Sequence, residues 1–412
     1  MSVESAPMQD TMIQSSILGM LGSRGAMSRA DLARALKVSS ATVTQICKLL
    51  IAREMIAETD DLAPSRGGRP ARLLELVSSA GTAVGVKVTA DHIAVVQVGL
   101  DGTVESSRTI DFAALRPDSL DQLARGLADV IGALPGRLLG VGVAVPGSVD
   151  SRDSGIVDAP TLNWSDAQIG AILRTRLHLP VLVENDVNAV AVADRLYGAG
   201  QDHDTYLVVT IGRGVGSAIV IDGIVRRGAN GGAGEIGHMS VDPAGPVCEC
   251  GSRGCLEALI GAPALVQKGH ERGVLAGKQG GAELLEAARQ GNDAARRIYT
   301  DAGDALGRAL SGVVQMLDPE MVVLLGEGTD AWTYWQPGFE TSFRSGLMPS
   351  RRGVPFLVET WSDYQWALGA AALVLSAPFD ASGAGGELGR WVRARLQRPA
   401  EKDASPTAGA RP

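Results

Sequence analysis

His238, Cys248, Cys250 and Cys255 follow one another with the spacing His-x9-Cys-x-Cys-x4-Cys. Three thiolates and one imidazole complete a tetrahedral zinc shell, and Gly251 and Gly254 let one short loop wrap around the ion. That set leaves no coordination position for water, so the predicted metal is structural: it fixes the loop and orients His238. The clustering of three cysteines also favours metal over disulfides in a reducing compartment, whereas Cys47 stands alone on a predicted helix and reads as core. Just upstream lie a glycine turn, Gly212-Arg213-Gly214-Val215-Gly216, and the run Gly234-Glu235-Ile236-Gly237-His238. Carboxylates accept and imidazoles donate or accept hydrogen bonds, which suits this region to a ligand rich in hydroxyls.

Such groups need a scaffold, and 412 residues exceed the usual domain size of roughly 100 to 200, so two or three cores are expected. With 45% hydrophobic residues, 20% charged residues and a net charge of −8, the chain is unlike a generally basic nucleic-acid coat. Any DNA contact must come from a local patch. The window Arg24 to Arg53 supplies one, with Arg24, Arg29, Arg34, Lys37, Lys48 and Arg53 against the single acid Asp31. No secretory leader and no apolar run of about 20 residues is evident, so the expected location is the cytoplasm, without membrane insertion.

The pattern from Ser15 to Leu76 is three short helices and a polar hairpin. Ile17, Leu18 and Leu21 mark the first helix, Ser28-Arg29-Ala30-Asp31 starts the second, and Val43, Ile46, Leu49 and Leu50 give the third, from about Ala41 to Ala52, its apolar face. This is a helix-turn-helix. If Ser39 or Ser40 caps the third helix, Ser40, Thr42, Thr44 and Gln45 can reach base edges while Lys48 and Arg53 bind phosphates. The segments Met55–Glu58 and Ala71–Leu76 read as strands flanking a wing, whose Arg66 and Arg69 can reach phosphates or a minor groove.

From Gly81 short Val- and Ile-rich runs alternate with helices, as in an α/β domain. A weak repeat appears: Val84–Val88, Ile93–Val96 and Asp101-Gly102 are echoed by Leu207–Thr210, Ala218–Val220 and Asp222-Gly223. Two related lobes are predicted. Beyond Ser376, Glu387 to Gln397 reads as a possible helix within a flexible end.

Together these motifs resemble the ROK family, and within it the repressor branch, from about Ser15 to Leu375. The resemblance implies a winged helix domain (1–78) joined to an actin-like, ribonuclease H-like α/β sugar-kinase fold. Its first lobe would span 79–195, completed by a helix at about 361–376, and its second 196–360 with the zinc loop; 377–412 would be a tail. It also implies a sugar in the interlobe cleft held by Asn163, Asn185, Asp186, Glu235, His238 and Glu257, with Asp186 at the general-base position of the family's kinases. Metal would be held by His238, Cys248, Cys250 and Cys255, and if one ring nitrogen of His238 takes zinc the other can face the sugar.

The nucleotide side departs from the kinase pattern. Where those enzymes carry Asp-x-Gly-Gly-Thr, this chain has Lys87, Thr89, Ala90 and Asp91, followed by His92; Arg213 replaces a usual Thr, and Glu327 interrupts Leu325-Gly326-Glu327-Gly328. No ATP binding and no enzyme activity are expected. The expected function is a sugar-responsive transcriptional regulator acting as a homodimer or homotetramer on operator DNA. The alternatives are an ATP-dependent hexose kinase with an accessory N-terminal domain, and a regulator controlled by a sugar-transport protein.

Overall fold

The computed structural model describes residues 5–62, 72–362, 364–380 and 386–397. Two compact units emerge, Met1–Glu184 with Ala367–Pro412, and Asn185–Trp366. The division falls before Asp186, so the helix that the sequence reading placed at the end of the first lobe clusters with the second unit.

The first unit begins with α1 (Ser5–Arg24), β1 (Met27–Ser28), α2 (Arg29–Leu36) and α3 (Ser40–Ala52), followed by the antiparallel strands β2 (Ile56–Leu62) and β3 (Arg72–Leu76). Serine caps set both short helices: Ser28 Oγ accepts from Asp31 N–H and Ser39 Oγ accepts from Thr42 N–H. Between them Lys37 turns the chain at φ 56°, ending α2. Ile17, Leu18, Leu21, Leu32, Val43, Ile46, Cys47 and Leu50 close the small core. Burial of Cys47 pushes its thiol upward, consistent with a packing role.

A five-stranded sheet follows, ordered β11-β7-β4-β5-β6, from β4 (Thr82–Val88), β5 (His92–Gly99), β6 (Val104–Asp111), β7 (Leu138–Val145) and β11 (Val181–Asn185). The inner strands are apolar on both faces because each face is covered, one of them by α4 (Ser119–Gly132) and α5 (Ile169–Leu177). A small sheet of β8 (Ser148–Val149), β9 (Val157–Ala159) and β10 (Trp164–Ala167) adjoins them.

Asn185–Trp366 forms a second sheet, ordered β14-β13-β12-β15-β16, from β12 (Tyr206–Ile211), β13 (Val215–Ile221), β14 (Ile224–Arg226), β15 (Met321–Leu325) and β16 (Phe356–Val358). In each sheet three consecutive antiparallel strands are extended by a strand parallel to the first, β7 on β4 and β15 on β12. The hairpin repeat read from the sequence is therefore the start of a duplicated topology. The helices of this unit are α6 (Asp186–Tyr197), α7 (Leu256–Ile260), α8 (Ala262–Glu271), α9 (Gly281–Arg289), α10 (Asp293–Leu317) and α11 (Trp332–Gly346). Small residues on α10 let α11 approach closely: a side chain at Gly303 would strike the Trp335 backbone, and one at Gly307 would lie 2.6 Å from Phe339 O.

Two more helices follow among the described residues. The Ala-rich α12 (Tyr364–Phe379) lies directly on the first sheet, where a side chain at Gly85 would strike Ala367 O and one at Gly142 would strike Ala370 O. Its last residue, Phe379, packs on α1, with ring atoms 3.0 and 3.1 Å from the Cβ position of Gly22. Beyond it, α13 (Gly386–Gln397) forms where the sequence allowed a helix at Glu387 to Gln397, and it is packed rather than a flexible tail over this span. Leu388, Val392 and Leu396, spaced at i, i+4 and i+8, are buried, Arg395 Nε donates to Leu138 O at 2.8 Å, and Arg137 Nη1 donates to Leu396 O at 3.2 Å. No single helix among the described residues is long and apolar enough to cross a membrane.

Candidate functional site

The run Gly234–His238 is laid flat on β13 by its glycines. At Gly234, φ is +93° and a Cβ would strike Ser217 O; at Gly237 it would strike Val215 O. Ser217 locks the contact, its hydroxyl donating to Gly234 O at 2.7 Å. The side chains of Glu235 and His238 then share one region, His238 Nε2 lying 3.9 Å from Glu235 Oε2.

The opposite face of the imidazole meets the cysteines. His238 Nδ1 lies 3.6 Å from Cys248 Sγ, Cys250 Sγ lies 3.7 Å from Cys255 Sγ, and the ligand atoms of all four residues fall within 4.8 Å of one another. Tetrahedral bonds of about 2.3 Å to sulfur separate two sulfurs by about 3.7 Å, which the Cys250–Cys255 spacing matches, so the four side chains could hold a metal ion. The loop is preformed by its own backbone: Cys248 N–H donates to Ser252 O, Gly254 N–H to Pro246 O, and Val241 N–H to Gly254 O, each at 2.8 Å. Gly254, at φ +66°, has no room for a side chain against Asp242 O. Hydrogen bonds from Ser252 lower the pKa of the exposed Cys250 thiol to about 6, while burial raises those of Cys248 and Cys255.

Glu257 follows the last cysteine in the first turn of α7, and its Oε2 accepts Val215 N–H at 2.9 Å. Asp186 opens α6, where its Oδ1 accepts Val187 N–H at 2.9 Å; Asn185 caps the same helix, its Oδ1 accepting from Val187 and Asn188. Asp186 and Glu257 are close enough to Glu235 to be felt. Crowding by surrounding atoms raises the Glu235 carboxyl although its side chain stays 51% exposed; His238 opposes the rise, and Glu257 and Asp186 add to it. Asp186, Glu235, His238 and Glu257 thus form one acidic group in the Asn185–Trp366 unit. Asn163 belongs to the other unit, exposed at a left-handed turn of φ 56°.

This strain has a measurable sign. A carboxyl whose folded pKa is raised stabilises the protein below its unfolded value and loses that contribution as pH rises through the folded one. Glu235→Gln is therefore expected to raise Tm clearly near about pH 8 and much less near about pH 5, in melts at constant ionic strength. An equal effect at both pH values would contradict the crowding argument.

In the helix-turn-helix, Ser40, Gln45, Lys48 and Arg53 are exposed on or just after α3. Thr42 and Thr44 are half-buried and their hydroxyls are engaged locally, Thr42 with Ser39 Oγ at 2.8 Å and Thr44 with Ser40 O at 2.7 Å. Arg66 and Arg69 lie outside the described residues.

A ROK family model matches residues 83–377. The chain belongs to the ROK family. A MarR family model matches residues 8–67, joining a winged helix to the ROK body. The xylose repressor of Bacillus subtilis (strain 168) is 29% identical over 302 residues, covering 72% of this chain and 77% of that protein. The DNA-binding transcriptional dual regulator NagC of Escherichia coli (strain K12) is 27% identical over 361 residues, 85% of this chain and 89% of that one. Among solved structures, a ROK family transcriptional regulator, homologue of the E. coli MLC protein, superposes with a TM-score of 0.78 at 28% identity, covering 93% of this chain and 99% of that one. α13 lies beyond the end of the ROK match.

Sequence reasoning missed where Glu327 goes. It lies beside the glycine turn at Gly212, a position that depends on the parallel pairing of β12 with β15 and that no local motif announces.

Proposed function

We propose that this ROK protein is a sugar-responsive transcriptional repressor. The winged helix, residues 1–78, holds operator DNA with Ser40, Thr42, Thr44 and Gln45 toward the bases and Lys48, Arg53, Arg66 and Arg69 toward the backbone or minor groove. The sugar is held by Asp186, Glu235, His238 and Glu257, aided by Asn163 and Asn185. His238, Cys248, Cys250 and Cys255 hold a structural zinc ion, which supplies a rigid anchor for the imidazole that orients the sugar. The protein works in the cytoplasm as a homodimer or homotetramer, since paired half-sites multiply the specificity of one recognition helix. A sugar-transport protein is a possible further partner.

The observation that carries this reading is the placement of Glu235 and His238 beside a preformed metal loop, in a chain that also carries a winged helix. Xylose and N-acetylated hexosamines are the first effectors to test, given the relatives' names.

One local structure speaks against kinase activity. In the β4–β5 turn the Thr89 hydroxyl lies 2.9 Å from Asp91 Oδ1 and accepts His92 N–H, while Asp91 Oδ1 lies 2.8 Å from His92 Nδ1. The turn is closed on its own side chains and presents a carboxylate where a phosphate would need bare backbone N–H groups. Asp186 thus occupies a general-base position without a nucleotide to serve.

A thermal-shift panel of pentoses, hexoses and amino sugars on the full chain tests the reading. At least one is expected to raise Tm, since a ligand at a hundred times its Kd adds about 2.7 kcal/mol of stability, and Asp186→Asn should abolish that rise. No shift with any sugar would count against it.

A further inference from the structure

We infer that Glu327 is a built-in anion that closes the second glycine turn to phosphate, restricting the protein to an uncharged, unphosphorylated sugar. The inference rests on the sugar-site reading above and adds the class of sugar.

The turn Gly212–Gly214 joins β12 to β13, and the N–H groups at its two ends, those of Gly212 and Val215, are engaged. Gly212 N–H donates to Gly214 O at 3.0 Å and Val215 N–H to Glu257 Oε2 at 2.9 Å. Two carboxylates flank it. The Cβ position of Gly214 is 2.5 Å from Glu257 Oε2, and the space a side chain at Gly212 would fill is taken by Glu327 Oε2, with Glu327 Cδ 3.1 Å away.

The backbone holds Glu327 there. β15 runs parallel to β12 with Thr210 opposite Leu325, so both strands deliver their following loops to the same end of the sheet. Gly326, at φ +103°, puts its Cβ position 2.5 Å from Ile211 O, and Gly328 packs on the Ile211 side chain at 2.7 Å. The Thr329 hydroxyl donates to Gly326 O at 2.8 Å and completes the bend. A phosphate-binding turn offers free N–H groups and a positive local field, whereas this one meets an incoming anion with two carboxylates. Arg213, exposed between the glycines, is the one cation in the turn.

Removing the Glu327 charge should leave Arg213 to dominate. Titration calorimetry of the full-length protein with metal-free tripolyphosphate at fixed ionic strength tests this. Glu327→Ala and Glu327→Gln are each expected to bind at least about tenfold more tightly than the parent, the scale of one close charge repulsion at a protein surface. Adding Arg213→Ala should cancel the gain. Equal affinity in the parent and both variants overturns the inference, and so does a gain that survives Arg213→Ala. The same proteins titrated with D-xylose and N-acetylglucosamine report separately: if neither these nor the wider panel binds the parent, the sugar reading fails while the tripolyphosphate contrast still decides the role of Glu327.

Discussion

Cys255→Ser is expected to strip the protein of its metal and to abolish stabilisation by sugar together. Cys255 is fully buried just ahead of α7, and in the proposed metal site it supplies one of the four ligands, so its loss loosens the loop that leads into the helix carrying Glu257. Structural zinc sites in small domains bind with about 10 to 16 kcal/mol, and one missing thiolate removes a large share of that. The ROK body has its own cores, so the variant should fold with a lowered Tm rather than remain unfolded. The consequence for ligand binding runs through His238: without the proposed ion, its ring keeps only the weak contacts of Nδ1 with Cys248 Sγ and of Nε2 with Glu235 Oε2 among the described residues. Metal content by mass spectrometry and Tm with and without sugar check this, and a chelator should reproduce the variant in the parent protein. A Cys255→Ser protein that keeps stoichiometric metal, or binds sugar as the parent does, would refute the assignment.

Gly142→Val should be comparably severe for a different reason. The added Cβ would strike Ala370 O and lie 2.5 Å from its carbonyl carbon, and backbone cannot step aside as a side chain can. α12 must lift from β7, at a cost of about 3 kcal/mol or more. Because α12 ends with Phe379 packed on Gly19 and Gly22 of α1, the displacement reaches the winged helix. Operator affinity is therefore expected to fall further than the affinity of the Asn185–Trp366 unit for sugar. Denaturant midpoints together with operator binding measure both parts; an unchanged midpoint would show that the helix–sheet contact is slack.

Much of this was legible in the residues because the determinants are local. The serine cap at Ser28, the cap read at Ser39 or Ser40, the hairpin repeat and the His-x9-Cys-x-Cys-x4-Cys spacing act over a few positions; the structure forms the caps at Ser28 and Ser39 and the repeat, and brings the four metal-binding side chains together. What the sequence hid depends on distant parts meeting. Glu327 reads as a fault in a glycine run until β12 and β15 bring it to Gly212. Likewise Glu387 to Gln397 reads as a possible helix within a flexible end until Arg395 ties it to Leu138 of β7 and the preceding Arg137 bonds back to Leu396. The hydroxyls of Thr42 and Thr44 look available for bases in a helical projection, yet the first turn of α3 engages them.

Fluorescence anisotropy of a labelled operator with the pure protein, titrated with the stabilising sugar in the absence of nucleotide, tests most directly whether sugar recognition by itself controls DNA binding. A sugar that prefers the DNA-free state a hundredfold shifts the balance by about 2.7 kcal/mol, so operator affinity should fall by up to about a hundredfold without ATP. Operator affinity that does not move at saturating sugar, or moves only when ATP is supplied and the sugar is phosphorylated, would contradict the account.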